Sequence, residues 1–163
     1  MYPTDLTVSA VVEDNGRYLV VEERAAGRTV LNQPGGHIEG GESPEVAVIR
    51  ETLEETGCDI ACGELIGVYL WIHPQTRQQF LRIAYVGKYL ACDEQRKLDE
   101  AVVARKWLTR QDLENRRDRL RSPLVLRCIR DYESGRRQTD ILFSGMLPLQ
   151  RHVDAVLATA DLV

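Results

Sequence analysis

Residues 36–58 run GHIEGGESPEVAVIRETLEETGC, a glycine-rich loop feeding directly into a helix. The loop cannot be helical, because Pro34 and the glycines at 35, 36, 40 and 41 all break helices. The helix then starts cleanly: Ser43 reads as its N-cap, Pro44 suits the first helical position, and Glu45 complements the helix dipole. Gly57 can take the left-handed conformation that closes a helix. Glu51, Glu54 and Glu55 stand at i, i+3 and i+4, so their carboxylates leave one face within an arc of roughly 100°. Val46, Ile49 and Leu53 lie opposite and are expected to face the core. Like charges at this spacing destabilise a helix by about a few tenths of a kcal/mol per pair, and Arg50, four residues before Glu54, neutralises only part of them. Three such carboxylates suit a hard divalent cation, and glycines are what close backbone approach to them requires.

Outward from this segment, Leu6–Val12 and Arg17–Glu23 read as strands joined through Asn15-Gly16, a hairpin signal. Glu64–Ile72 and Phe80–Leu90 read as two more strands connected by residues 73–77, and Val102–Leu108 as another. Arg121-Ser122-Pro123 repeats the cap-plus-proline start, with a helix over Leu124–Tyr132 closed by Gly135. This order predicts the α/β class, a mixed sheet flanked by helices. No repeat or linker interrupts the chain, so residues 1–163 are expected to form one domain. Pro148 interrupts the end of the chain, where Arg151–Leu162 is a candidate third helix.

The 163 residues, 44% hydrophobic and 28% charged, have the balance of a folded globular chain and no apolar run long enough for a membrane span. The first residues carry neither a basic nor an apolar secretory signature. Cys58, Cys62, Cys92 and Cys128 form no CxxC pair, so zinc is not expected, and free thiols in a reducing cytoplasm are. Charge is uneven. Residues 1–60 hold twelve acids against four bases, net −8, whereas residues 105–137 hold eleven bases against five acids, net +6. The acidic part invites divalent cations and the basic part phosphate. The basic segment carries no nucleic-acid motif, and a pI of about 5.4 argues against a nucleic-acid partner.

Gly36, five residues, Glu42, seven residues, then Arg50-Glu51-Thr52-Leu53-Glu54-Glu55-Thr56-Gly57-Cys58 resembles the Nudix box, GX5EX7REUXEEXGU, with all seven fixed positions in register. Thr52 and Cys58 stand where the pattern has bulkier aliphatics, a departure in packing positions. The approach Asn32-Gln33-Pro34-Gly35-Gly36-His37-Ile38-Glu39 is similar to that of NudJ-type phosphatases within the same superfamily. So are Trp71-Ile72-His73-Pro74, Phe80-Leu81-Arg82, and the segment from Arg121-Ser122-Pro123 to Gly135. The similarity spans residues 5–137, and residues 138–163 match poorly.

The resemblance implies a Nudix α/β/α sandwich, dependence on Mg2+ (or Mn2+ in its place) and hydrolysis of a phosphoanhydride. It implies metal ligation by Glu51, Glu54, Glu55 and the Gly35 carbonyl, with Glu100 as the acid outside the box. Either Glu54 or Glu51 would activate water, with Glu42 and Arg50 orienting them. His37, Arg28, Trp71, Phe80 and Arg82 are the candidates for holding substrate, with Tyr69, Arg24 and Arg121 as further possibilities. The implied partner is a small phosphorylated molecule: a nucleoside tri- or diphosphate or hydroxymethylpyrimidine diphosphate, releasing orthophosphate. A pyrophosphohydrolase of the oxidised-dGTP or ADP-ribose kind, or a nucleotide-binding regulatory module, are the alternatives. The chain would act as a monomer or homodimer, away from membranes.

Overall fold

A computed structural model describes residues 3–25 and 27–137. The candidate helix at Arg151–Leu162 lies outside the described residues. In chain order the elements are β1 (Thr4–Asp14), β2 (Arg17–Ala25), β3 (Arg28–Asn32), α1 (Pro44–Thr56), β4 (Cys58–Ile72), β5 (Gln79–Cys92) and β6 (Val102–Leu108). The short α2 (Arg110–Glu114), a 3-10 turn at Arg117–Arg119 and α3 (Leu124–Glu133) complete the described fold. The strands run β3-β2-β1-β5-β4, with β6 also paired to β2. β1 and β5 are parallel, and the other pairings are antiparallel, so the sheet is mixed as expected.

Period-two alternation along β1 sorts its side chains between two cores. Val8, Ala10 and Val12 pack with Ala47 and Val48 of α1 on one face. Val11 packs with Val125, Leu126 and Ile129 of α3 on the other. The result is the α/β/α sandwich. The β1–β2 turn forms at Asn15 and Gly16, with φ of 50° and 76°, as the dipeptide predicts. The sequence reading missed β3, which is short, and α2, which rests on a Thr109–Asp112 capping box. No helix among the described residues is long and apolar enough to cross a membrane.

Two expectations are corrected. The inward face of α1 is not Val46, Ile49 and Leu53: Val46 is 54% and Ile49 37% exposed, while Leu53 is only half-buried. The helix buries Ala47, Val48, Thr52, Glu55 and Thr56 instead. These small or polar groups can be buried because Thr52 and Thr56 donate their hydroxyls to the carbonyls of Val48 and Thr52, at 2.7 and 2.5 Å. The second correction concerns the thiols. Cys58 and Cys92 face each other in the β4–β5 register, Cα atoms 4.0 Å apart, and form a disulfide. Only Cys62 and Cys128 are free.

Candidate active site

The loop between β3 and α1 lies along β1. Val8 and Ala10 donate their N–H groups to the carbonyls of Gly36 and Pro34, both at 2.9 Å, and Ile38 donates to Leu6 O at 3.2 Å. This brings the loop over α1, and two glycines permit it. Gly35 has φ +152°, and a Cβ there would run into the Val8 carbonyl oxygen. At Gly36 a Cβ would lie 2.5–2.6 Å from the Glu51 carboxyl atoms, so only glycine leaves that carboxylate its place. Ser43 caps α1 by accepting from Val46 N, and Gly57 closes it at φ 68°.

Arg50 organises the acidic cluster. Its Nε and Nη2 donate to both oxygens of Glu42 (3.1 and 2.6 Å), and Nη2 also donates to His37 O at 3.1 Å. Nη1 donates to Glu51 Oε1 at 2.9 Å and Glu54 Oε2 at 3.0 Å. Glu42 Oε1 in turn accepts from Glu39 N at 2.7 Å, which pins the loop. The Arg50 fork holds the Glu42 carboxyl below the usual carboxylate range. Glu51 moves the other way, because burial outweighs the relief from Arg50.

Glu55 is the most strained of these acids. It is buried and accepts from Gly35 N at 2.9 Å, but among the described residues no guanidinium or ammonium bonds to it. Burial, aided by the nearby charges of Glu23, Glu51 and Asp99, pushes it up to about 8. A buried, crowded carboxylate of this kind calls for positive charge. The all-oxygen donor set of Glu51, Glu54, Glu55 and the glycine-loop backbone fits a hard divalent cation. Among the described residues no three His, Cys, Asp or Glu side chains stand in a ligating arrangement. Arg50 draws Glu51 and Glu54 to itself instead.

The remaining candidates separate. Glu100 is exposed in the turn before β6. Its neighbour Asp99 is tied to α1 through the backbone, its N–H donating to Glu54 O at 3.1 Å, and its charge acts on Glu51 and Glu55. Asp99 and Glu23 were missed because strand pairing alone brings them near α1. His37 is exposed, with Nε2 3.6 Å from Asp5. Trp71 and Arg28 line one cavity, and Phe80 stacks against Trp71 at 5.6 Å between ring centroids. Tyr69 is instead a packing residue, its hydroxyl donating to Asp131 at 2.9 Å. Arg82 is set inward, its Nε and Nη1 buried without an acceptor.

The family model for the NUDIX domain matches residues 3–127 of the chain. The chain belongs to the Nudix family. Among curated relatives, Phosphatase NudJ of Shigella boydii and its counterpart in Escherichia coli K12 are each 34% identical over 137 residues. In both cases this is 84% of this chain and 88% of the relative. A NUDIX hydrolase from Nitrosomonas europaea has a TM-score of 0.78 at 39% identity, covering 83% of this chain and 91% of that one. A MutT protein from Methanosarcina mazei shares the fold, with a TM-score of 0.67 at 22% identity over 83% of this chain and 98% of its own. This protein is therefore a Nudix hydrolase with NudJ-like resemblance, and the Arg50-centred cluster is its Nudix box. Nudix hydrolases generally use divalent metal ions.

Proposed function

We propose that this Nudix hydrolase is a Mg2+-dependent phosphohydrolase, with Mn2+ able to substitute, acting on nucleoside tri- and diphosphates and on hydroxymethylpyrimidine diphosphate to release orthophosphate. The observation that carries the reading is the box itself: Glu51, Glu54 and Glu55 gathered beside Gly35 and Gly36, with Arg50 bonded to Glu51 and Glu54 and, among the described residues, no cation bonded to Glu55. NudJ-type relatives described as phosphatases support the choice of orthophosphate over pyrophosphate.

Glu51, Glu54, Glu55 and the Gly35 carbonyl would hold the metal, with Asp99 and Glu23 adding negative field; Glu100 is retained only as a weaker candidate. When bound, the metal supplies charge to counter the diphosphate and acidifies a water. The chain's own groups do the rest. Arg50 and Glu42 keep loop and helix in register, so the carboxylates present a fixed donor set. Glu54, more exposed than Glu51 (39% against 12% of the side chain), would accept a proton from the attacking water, with Glu51 as the alternative. Trp71, backed by Phe80, offers a flat wall for a base or pyrimidine ring, and Arg28, Arg82 and His37 offer donors to phosphate. Placing the enzyme in the cytoplasm makes Cys58–Cys92 a bond to be checked by thiol titration.

A phosphate-release assay on ADP, GTP and hydroxymethylpyrimidine diphosphate, run with and without added inorganic pyrophosphatase, tests the proposal. Orthophosphate without the helper enzyme is expected. Phosphate seen only when pyrophosphatase is present would make the protein a pyrophosphohydrolase.

A further inference from the structure

A cavity of about 630 Å3 opens between the start of β3, the end of β4 and the segment leading into α3. Arg28, Arg117, Arg121, Arg127 and Arg130 line it, and among the described residues no aspartate or glutamate does. Arg127 and Arg130 already have carboxylate partners, Asp131 at 2.9 Å and Glu114 at 3.1 Å. The side chains of Arg28, Arg117 and Arg121 have none among the described residues. Three guanidiniums sharing one concavity with no described carboxylate between them repel each other, and low-dielectric walls focus that field. Trp71, stacked on Phe80, adds an aromatic surface to the same cavity.

Hydrogen bonds link the cavity wall to residues near the box. Arg121 donates its N–H to Leu31 O at 2.8 Å, and the next residue, Asn32, donates its side-chain amide to Glu23 at 3.2 Å. Arg82 lies between the two regions, with Nε and Nη1 buried and without acceptors. The charges that act on it include Glu23 and Glu55 on the box side and Arg121 on the cavity side. A neutral base or pyrimidine needs the tryptophan wall and a few hydrogen bonds. It does not need three unpaired cations.

Resting on the reading that the box is where the diphosphate reacts, we propose that this cavity takes the rest of the substrate and that this part is itself anionic. The favoured substrates are diphosphates that carry a further phosphomonoester alongside an aromatic moiety.

The test compares ADP with adenosine 3′-phosphate 5′-diphosphate, which has the same base and the same scissile linkage plus one phosphomonoester. Both are assayed with Mg2+ at matched ionic strength. A kcat/KM at least about tenfold higher for the second compound is expected, as one or two charge-assisted contacts would give. The double variant R117A/R121A should bring the ratio close to unity, and R110A, which pairs with Glu114 and Glu133 outside the cavity lining, should keep it. Because the ratio is taken within one preparation, partial misfolding of a variant cancels. Equal kcat/KM in the wild type, or a preference that survives R117A/R121A, overturns the inference. So does ADP turnover raised to the same level by added inorganic phosphate, since the anion would then be a separate ligand. If neither compound is hydrolysed, the reading of the box fails first.

Discussion

Replacing Arg50 with alanine removes one guanidinium from five hydrogen bonds: two to Glu42, one each to Glu51 and Glu54, and one to the His37 carbonyl. The cost follows from burial. Glu42 and Glu51 expose only 13% and 12% of their side chains, so each would be left a largely desolvated, uncompensated charge. Removing one partner of such a pair costs about 3–5 kcal/mol. Glu54, at 39% exposure, is screened by solvent and adds only about 0.3–0.5 kcal/mol. At roughly 2–4 °C per kcal/mol for a chain of this size, Tm in chelator should fall by about 6–20 °C. Arg50→Lys keeps the charge without the fork and should recover only part of the loss. The pH dependence carries a sign. Arg50 lowers the folded pKa of Glu42, so its stabilisation is fully present above the ordinary 4.5 and is lost as pH falls through the depressed folded value. The wild-type advantage over R50A should therefore shrink on acidification below about 4.5. Urea denaturation of both proteins across acidic pH checks this. A difference under about 1 kcal/mol at neutral pH, or one that stays constant into acid, would refute the assigned role of the hub.

Glu55, raised to about 8, holds a proton in the folded state that the unfolded chain has released, so metal-free stability should decline from pH 4.5 to pH 8. Glu55→Gln should flatten that decline in chelator-treated protein, and parallel curves would count against it. Glu54→Gln should lower turnover by about 10²–10⁴ with an unchanged circular-dichroism spectrum; near-wild-type rates would remove Glu54 as the base. Gly57→Ala forces a side chain into φ 68° and to 2.7 Å from the Asp93 carbonyl, costing at least about 1–2 kcal/mol in thermal unfolding. Before reduction, denatured protein should titrate two thiols, Cys62 and Cys128, and Cys92→Ser should cost about 2–4 kcal/mol for a bridge spanning 34 residues. Four titratable thiols would dispose of the bridge.

Local chemistry was legible residue by residue. Ser43, Pro44 and Gly57 mark the ends of α1 because capping and left-handed backbone are decided within one turn. Asn15-Gly16 marks the hairpin for the same reason, and the spacing of Arg50, Glu51, Glu54 and Glu55 identifies the box. The face that α1 turns inward was not legible. Apolar spacing pointed to Val46 and Ile49, yet the helix packs through Ala47, Thr52 and Thr56, whose hydroxyls are satisfied within their own helix.

The chain's order of residues alone determined where α1 starts and stops, where the first hairpin turns and which acids share a helical turn, since those depend on neighbours within about four positions. Only the folded molecule decided that Cys58 meets Cys92, that the Asp99 backbone is tied to α1, and that three arginines without a carboxylate partner among the described residues share a cavity with Trp71. Those meetings depend on strand register and on which segments cross, and each joins residues too far apart in the chain for any local pattern to report.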